Sequence, residues 1–134
     1  MAGYSGTPLA KKLSLRDGHR VWRPGMPASV RAEIDAAGLA LVDLPAAEAP
    51  IDAAHVFVTK TAELKAAVAD LRGKLSPSGF LWVSWPKKSS GIASEVNEDE
   101  VRRVALPTGL VDVKVCAVDE TWSGLKLMIR KRER

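Results

Sequence analysis

The sequence predicts an α/β domain: a mainly parallel sheet of about six strands, helices on both faces and a C-terminal antiparallel hairpin. Three observations carry this prediction. Short apolar runs alternate with segments of helical periodicity along most of the chain. The run FLWVSW (80–85) is continuously apolar, as a strand covered on both faces must be. Two long strand-like segments, 110–118 and 124–131, are joined by DETWSG, a connection short enough for a hairpin.

Taken in order, Thr7 and Pro8 predict a helix start, with a hydroxyl at the N-cap and proline at the first helical position. Leu9 and Leu13 then share a face while Lys11 and Lys12 point away, giving a short helix over 8–15 within a leading segment 1–17. HRVWR (19–23) reads as a strand, and PGMP (24–27) breaks the chain. Val30, Ile34 and Ala37 mark a helix over 28–37, which Gly38 ends. LALVD (39–43) is a strand, LPAAEAPIDAA (44–54) a connection and HVFVT (55–59) the next strand. In 61–75, Leu64, Val68, Leu71 and Leu75 form one stripe, with Thr61 as N-cap and Glu63 in the first turn. SPSG (76–79) turns the chain into the central strand. Asn97 opens the last helix: Glu98, Asp99 and Glu100, then Arg102 and Arg103, match the helix dipole, and Asn97 with Glu100 resembles a capping box. Gly109 closes it. The whole of 1–134 reads as one domain, with a basic tail over 131–134.

A hydrophobic fraction of 46% and a charged fraction of 27% suit a folded, soluble chain rather than a disordered one. The net charge of +4 owes much to the closing RKRER, and no basic, aromatic-studded motif is visible, so nucleic acid is not expected as a partner. Cys116 is the only cysteine; it excludes an internal disulfide and reads as a small buried residue. His19 and His55 each begin a strand without a second ligand at metal spacing, so both read as structural and no metal is expected. No Ser-His-Asp or Cys-His set can be assembled. The first fifteen residues lack an apolar core and no stretch reaches membrane-spanning length, so a cytoplasmic monomer or homodimer away from membranes is expected.

In parallel α/β sheets ligands bind beyond the carboxyl ends of the strands. Strand by strand, that rule gathers Arg23, Asp43, Lys60, Lys87, Lys88, Ser89, Ser90, Asp119, Glu120, Thr121, Trp122 and Ser123 on one rim as candidate ligand-binding residues. The segment PKKSSG has two readings. It is where a buried strand surfaces, or its ammonium groups, hydroxyls and backbone N–H groups form a donor-rich pocket for phosphate or carboxylate. Trp122 either caps the core or stacks on a planar ligand. Trp82 and Trp85 read as core.

The run KLSPSGFLWVSWPKKSSG resembles the second half of class I S-adenosylmethionine-dependent methyltransferases, in which a helix, a turn, a central strand and an antiparallel hairpin follow in this order. Asp43 stands where that superfamily holds the ribose hydroxyls with an acidic residue. GYSGTPLAKKL, WPKKSSG and VDVKVCAVDETWSGLK resemble, more closely, a family of short bacterial proteins catalogued as a domain of unknown function. The resemblance implies a Rossmann-like, class I methyltransferase-like fold and carries no established activity. The superfamily's cofactor loop after the first strand is glycine-rich. Here it is RVWRPGMPASV, with one glycine and two prolines that have no N–H to donate. The chain also reads as one strand–helix unit short. No cofactor is therefore expected, with S-adenosylmethionine left as the exception that the resemblance keeps open. The expected function is binding of a small anionic ligand or a protein partner at the rim, without conventional methyl transfer. The alternatives are a methyltransferase, with Asp43 on the ribose and Asp119 or Glu120 as base, and a structural or regulatory interaction module.

Overall fold

A computed structural model describes residues 6–134; the first five residues of the leading segment lie outside the described residues. The elements are α1 (Leu9–Lys12), β1 (Arg20–Trp22), α2 (Ala28–Asp35), β2 (Val42–Asp43), β3 (Ile51–Phe57), α3 (Thr61–Leu71), β4 (Leu75–Pro86), α4 (Glu98–Ala105), β5 (Leu110–Ala117) and β6 (Trp122–Ile129). They build one six-stranded sheet in the order β2-β1-β3-β4-β6-β5. The first four strands are parallel, and β6 runs antiparallel to both β4 and β5. The predicted fold class is the observed one: α/β, mainly parallel, closed by an antiparallel hairpin.

β4 is central, and its alternate residues feed two cores. Leu81, Val83 and Trp85 pack with Leu64, Val68 and Leu71 of α3 and Val101 of α4. Phe80 and Trp82 pack on the other face with Leu9 and Leu13 beside α1 and with Val30 and Ile34 of α2. The Trp82 indole Nε1 donates to the Leu13 carbonyl at 2.9 Å, tying the leading helix to the sheet. Full burial on both faces explains the unbroken apolar run read from the sequence.

Several boundaries differ from expectation. Of the predicted strand 39–43, only Val42–Asp43 pairs. Leu39 and Leu41 instead pack against the α1–α2 core, while the Ala40 N–H donates to Asp17 and its carbonyl accepts from Gly18. β3 begins at Ile51, within the predicted connection: Ile51, Ala53 and Ala54 are buried, and the small size of the alanines hid the strand. α3 stops at Leu71, and Leu75 begins β4 opposite Ile51, so its place on the helical stripe is coincidental. The predicted turn SPSG lies inside β4 as an irregularity, since pairing passes from Ile51–Leu75 directly to Ala53–Phe80. Gly79 is required there, because a Cβ would stand 2.7 Å from the Ile51 carbonyl oxygen. Cys116 is half-buried near the open edge of the sheet rather than in the core, and burial raises its thiol pKa. β6 ends at Ile129, after which Lys131–Glu133 forms one short 3₁₀ turn. Among the described residues, no helix is long and apolar enough to cross a membrane.

Candidate functional site

Parallel running of β1, β3 and β4 carries their carboxyl ends to one rim, and β6 starts from that rim with Trp122 opposite Pro86. Here the loop after β4 and the hairpin are bonded together. The Lys87 N–H donates to the Thr121 carbonyl at 2.8 Å, and the Lys87 ammonium donates to the Asp119 carbonyl at 2.6 Å. The expected convergence of these two segments is thus present.

The other half of the rim is organised around Arg23, which is only 6% exposed. Its Nε and Nη2 donate to the two oxygens of Asp43 at 2.8 and 2.9 Å, across the β1–β2 pairing. Asp35 stands 3.7 Å away, and Arg31 approaches Asp43 at 3.4 Å. The guanidinium holds the Asp43 carboxyl below its usual range, and Asp43 raises the pKa of Arg23 in return. Both oxygens of the carboxylate that the resemblance assigns to a ribose are therefore engaged by arginine. Beneath Arg23 a void of about 10 Å³, bordered by Met26, His55 and Trp82, has room for about one water. His55 Nε2 lies 2.7 Å from Ser84 Oγ, and the ring stacks on Phe57 at 4.4 Å. Desolvation, with Arg23 nearby, pushes the His55 pKa down to about 3, so it is a neutral core group.

Several other candidates are committed to local structure. Asp119 Oδ1 accepts the N–H groups of Thr121 and Trp122, closing the hairpin turn. Trp122 packs edge-on against Phe57 at 5.1 Å, in the α1–α2 core. Ser90 Oγ donates to the Lys87 carbonyl and accepts from the Ile92 N–H. Lys60 precedes α3, where Glu63 receives its backbone N–H. Ser89 and Glu120 are exposed.

What the rim leaves open is a cleft of about 410 Å³ on the α3–α4 side, between the loop after β4, the start of α4 and the hairpin strands. Trp85, Pro86, Val96 and Val115 supply apolar wall; Lys87, Lys88, Ser94, Asn97 and Ser123 supply polar groups; Glu98 is the one carboxylate. Glu98 is paired with Arg102, and the Asn97 side chain accepts the Glu100 N–H as helix cap. Lys88 is exposed; its carbonyl accepts the Gly91 N–H, and among the described residues its ammonium has neither a hydrogen-bond nor an ion-pair partner. Sequence reasoning named Lys87, Lys88 and Ser123 for this place but missed Ser94, Asn97 and the apolar wall. The available signal was GIASEV, a loop too apolar to be purely solvated. Arg23, Asp43 and Trp122 do not line this cleft. Among the described residues, no group of three His, Cys, Asp or Glu side chains is placed to hold a metal ion.

A family profile described as "Protein of unknown function (DUF3052)" matches residues 10–131, and the chain belongs to that family. No curated protein matches it. Among solved structures it is similar to a SAM-dependent methyltransferase from Aquifex aeolicus, with TM-score 0.64 and 18% identity over 90% of this chain and 87% of that one. Magnesium protoporphyrin IX methyltransferase from Synechocystis PCC 6803, solved with bound SAM, gives 0.63 and 12% over 90% and 74%. A putative methyltransferase from Thermoplasma acidophilum gives 0.59 and 9% over 92% and 75%. At these identities the likeness is one of fold.

Proposed function

We propose that this member of the family uses a methyltransferase-like fold as a binding scaffold. In this reading it takes a small anionic ligand with an apolar body in the cleft beyond the carboxyl end of β4, and is not a conventional methyltransferase. The observation that carries the reading is a contrast between two halves of one rim. On the cofactor side, Arg23 neutralises Asp43 and occupies both of its oxygens. On the hairpin side, a cleft of ligand size has the unpartnered Lys88 at its mouth.

The residues of the first loop do not fit the usual cofactor. A ribose seated on Asp43 would have to displace two charge-assisted hydrogen bonds and leave a buried guanidinium with Asp35 alone at 3.7 Å. Pro24 and Pro27 withhold two of the backbone N–H groups that such a loop offers. In the open cleft, Lys88 supplies charge, Ser94 and Ser123 supply hydroxyls, and Trp85, Val96 and Val115 cover an apolar portion.

Isothermal titration with acetyl phosphate, AMP and S-adenosylmethionine tests this. The expectation is binding of acetyl phosphate or AMP that weakens about tenfold, or about 1.4 kcal/mol, in Lys88→Ala. Absence of binding by both, or binding indifferent to Lys88, would overturn it. The fold likeness favours a second reading, a methyltransferase with Asp43 on the ribose. Micromolar S-adenosylmethionine binding that survives Lys88→Ala but not Asp43→Asn would establish that alternative.

A further inference from the structure

At the opposite pole, where the parallel strands begin, a second cleft of about 320 Å³ is bordered by Ser14, Arg16, His19, Ser78, Phe80 and Lys126. No carboxylate lines it. Among the described residues the Arg16 guanidinium and the Lys126 ammonium have no ion-pair partner.

Lys126 is half-buried on the sheet face that α1 and α2 cover, with its ammonium 4.6 Å above the Phe80 ring. It donates to Ser14 Oγ at 3.0 Å. An ammonium has three N–H groups, so the hydroxyl and the ring account for two and one remains for the cleft. Ser14 has φ 63°, an uncommon conformation for a residue with a Cβ, and its side chain holds this lysine. Burial, together with the neighbouring Lys114 and Arg16, pushes the Lys126 pKa down. His19 contributes a further donor. Its Nδ1 accepts the Arg16 N–H at 3.1 Å, so in the neutral ring Nε2 carries the proton. The imidazole is steadied edge-on against Phe80 at 5.9 Å.

The groups facing this cleft are thus a guanidinium, an ammonium, an imidazole N–H and two hydroxyls, with like charges close together and no acid to balance them. A dianion would relieve the repulsion and accept from several donors at once. Phe80 and Met128 add apolar wall for whatever the anion is attached to. We propose that this cleft is a phosphate site, taking inorganic phosphate or the phosphate of a monoester. It lies at the other end of the strands from the Lys88 cleft and does not depend on that one being a ligand site.

Titration of the full chain with inorganic phosphate and with AMP, followed by calorimetry and by the side-chain resonances of Lys126, tests the proposal. In a Lys88→Ala background, which impairs the other cleft, binding of at least one is expected to persist, to weaken about tenfold when Arg16→Gln or Lys126→Met is added, and to be retained with Lys126→Arg. The Lys126 pKa should rise when the anion binds. Equal affinities for the two probes would identify free phosphate as sufficient; tighter AMP binding would identify a monoester. Arg16 is exposed, so Arg16→Gln remains informative if the Lys126 variants fail to fold. No binding of either probe up to about 10 mM, or binding unchanged in Arg16→Gln, would overturn the proposal.

Discussion

Asp43→Asn should destabilise the protein well beyond the loss of a surface ion pair. The Arg23 side chain is 4% exposed, whereas that of Asp43 is 48% exposed. An exposed pair contributes about 0–1 kcal/mol, and stranding a buried charge costs about 3–5 kcal/mol. This pair lies between those limits: one end is wet, and Asp35 at 3.7 Å keeps a partial counter-ion for Arg23. About 2 kcal/mol is the expected loss at neutral pH, which for a chain of this size lowers Tm by about 8 °C. The pH dependence gives a second check. The folded-state pKa of Asp43 lies below the ordinary 3.8, so its contribution is fully present above that value and is lost as pH falls through the folded pKa. Wild type and Asp43→Asn should therefore differ at pH 7 and converge in acid. The assay is urea denaturation of a double-mutant cycle with Arg23→Met. A coupling below about 0.5 kcal/mol, or a gap that widens in acid, would refute the claim that Arg23 and Asp43 hold one another.

Two further substitutions probe the core around β4. His55 has a folded pKa of about 3 against an ordinary 6.5, so between these values the unfolded chain binds a proton that the folded one does not. Stability should fall with decreasing pH in that window by about 1.4 kcal/mol per unit from this residue, and the difference between wild type and His55→Gln in denaturation series from pH 7 to pH 5 should show it. Gly124→Ala should cost about 1–3 kcal/mol by overpacking, because a Cβ there would meet Trp82 at 3.1 Å and Val118 at 3.2 Å; an unchanged Tm would contradict the packing.

The parts of the fold legible in the sequence are those in which one physical signal acts alone. FLWVSW could only be a strand covered on both sides. Asn97 followed by three acids marked a helix start, and its side chain does accept the Glu100 N–H. Where two signals competed, the boundary moved. Leu75 continued a helical stripe yet begins β4, and Ile51-Asp52-Ala53-Ala54 looked like connection because alanines carry little strand signal. Thr61, read as the cap of α3, is its first helical residue, and its hydroxyl donates to Glu100 instead. The candidate site divides in the same way. Strand direction alone brings Lys87 to Asp119 and Arg23 to Asp43, so proximity was readable from topology. Which hydrogen bonds form is decided by side-chain packing, and no spacing rule shows that Arg23 turns inward or that Asp119 is consumed by its own turn.

The Arg23–Asp43 pair also bears on what an acidic residue at the end of β2 can mean. A carboxylate at that position needs donors. A ribose can provide them, and so can a guanidinium one strand away. Once Arg23 occupies the position, Asp43 is retained by its pairing with a buried cation, and losing the cofactor would not release it. Its presence is then no sign of S-adenosylmethionine chemistry, because the same residue type serves the structure. Among the described residues, Lys88 at one end of the strands and Arg16 with Lys126 at the other have no carboxylate partner of this kind. A solvated lysine such as Lys88 needs none. A half-buried ammonium with no carboxylate beside it, held by a left-handed serine, is less readily explained by solvation, and the phosphate titration tests that difference between the two clefts.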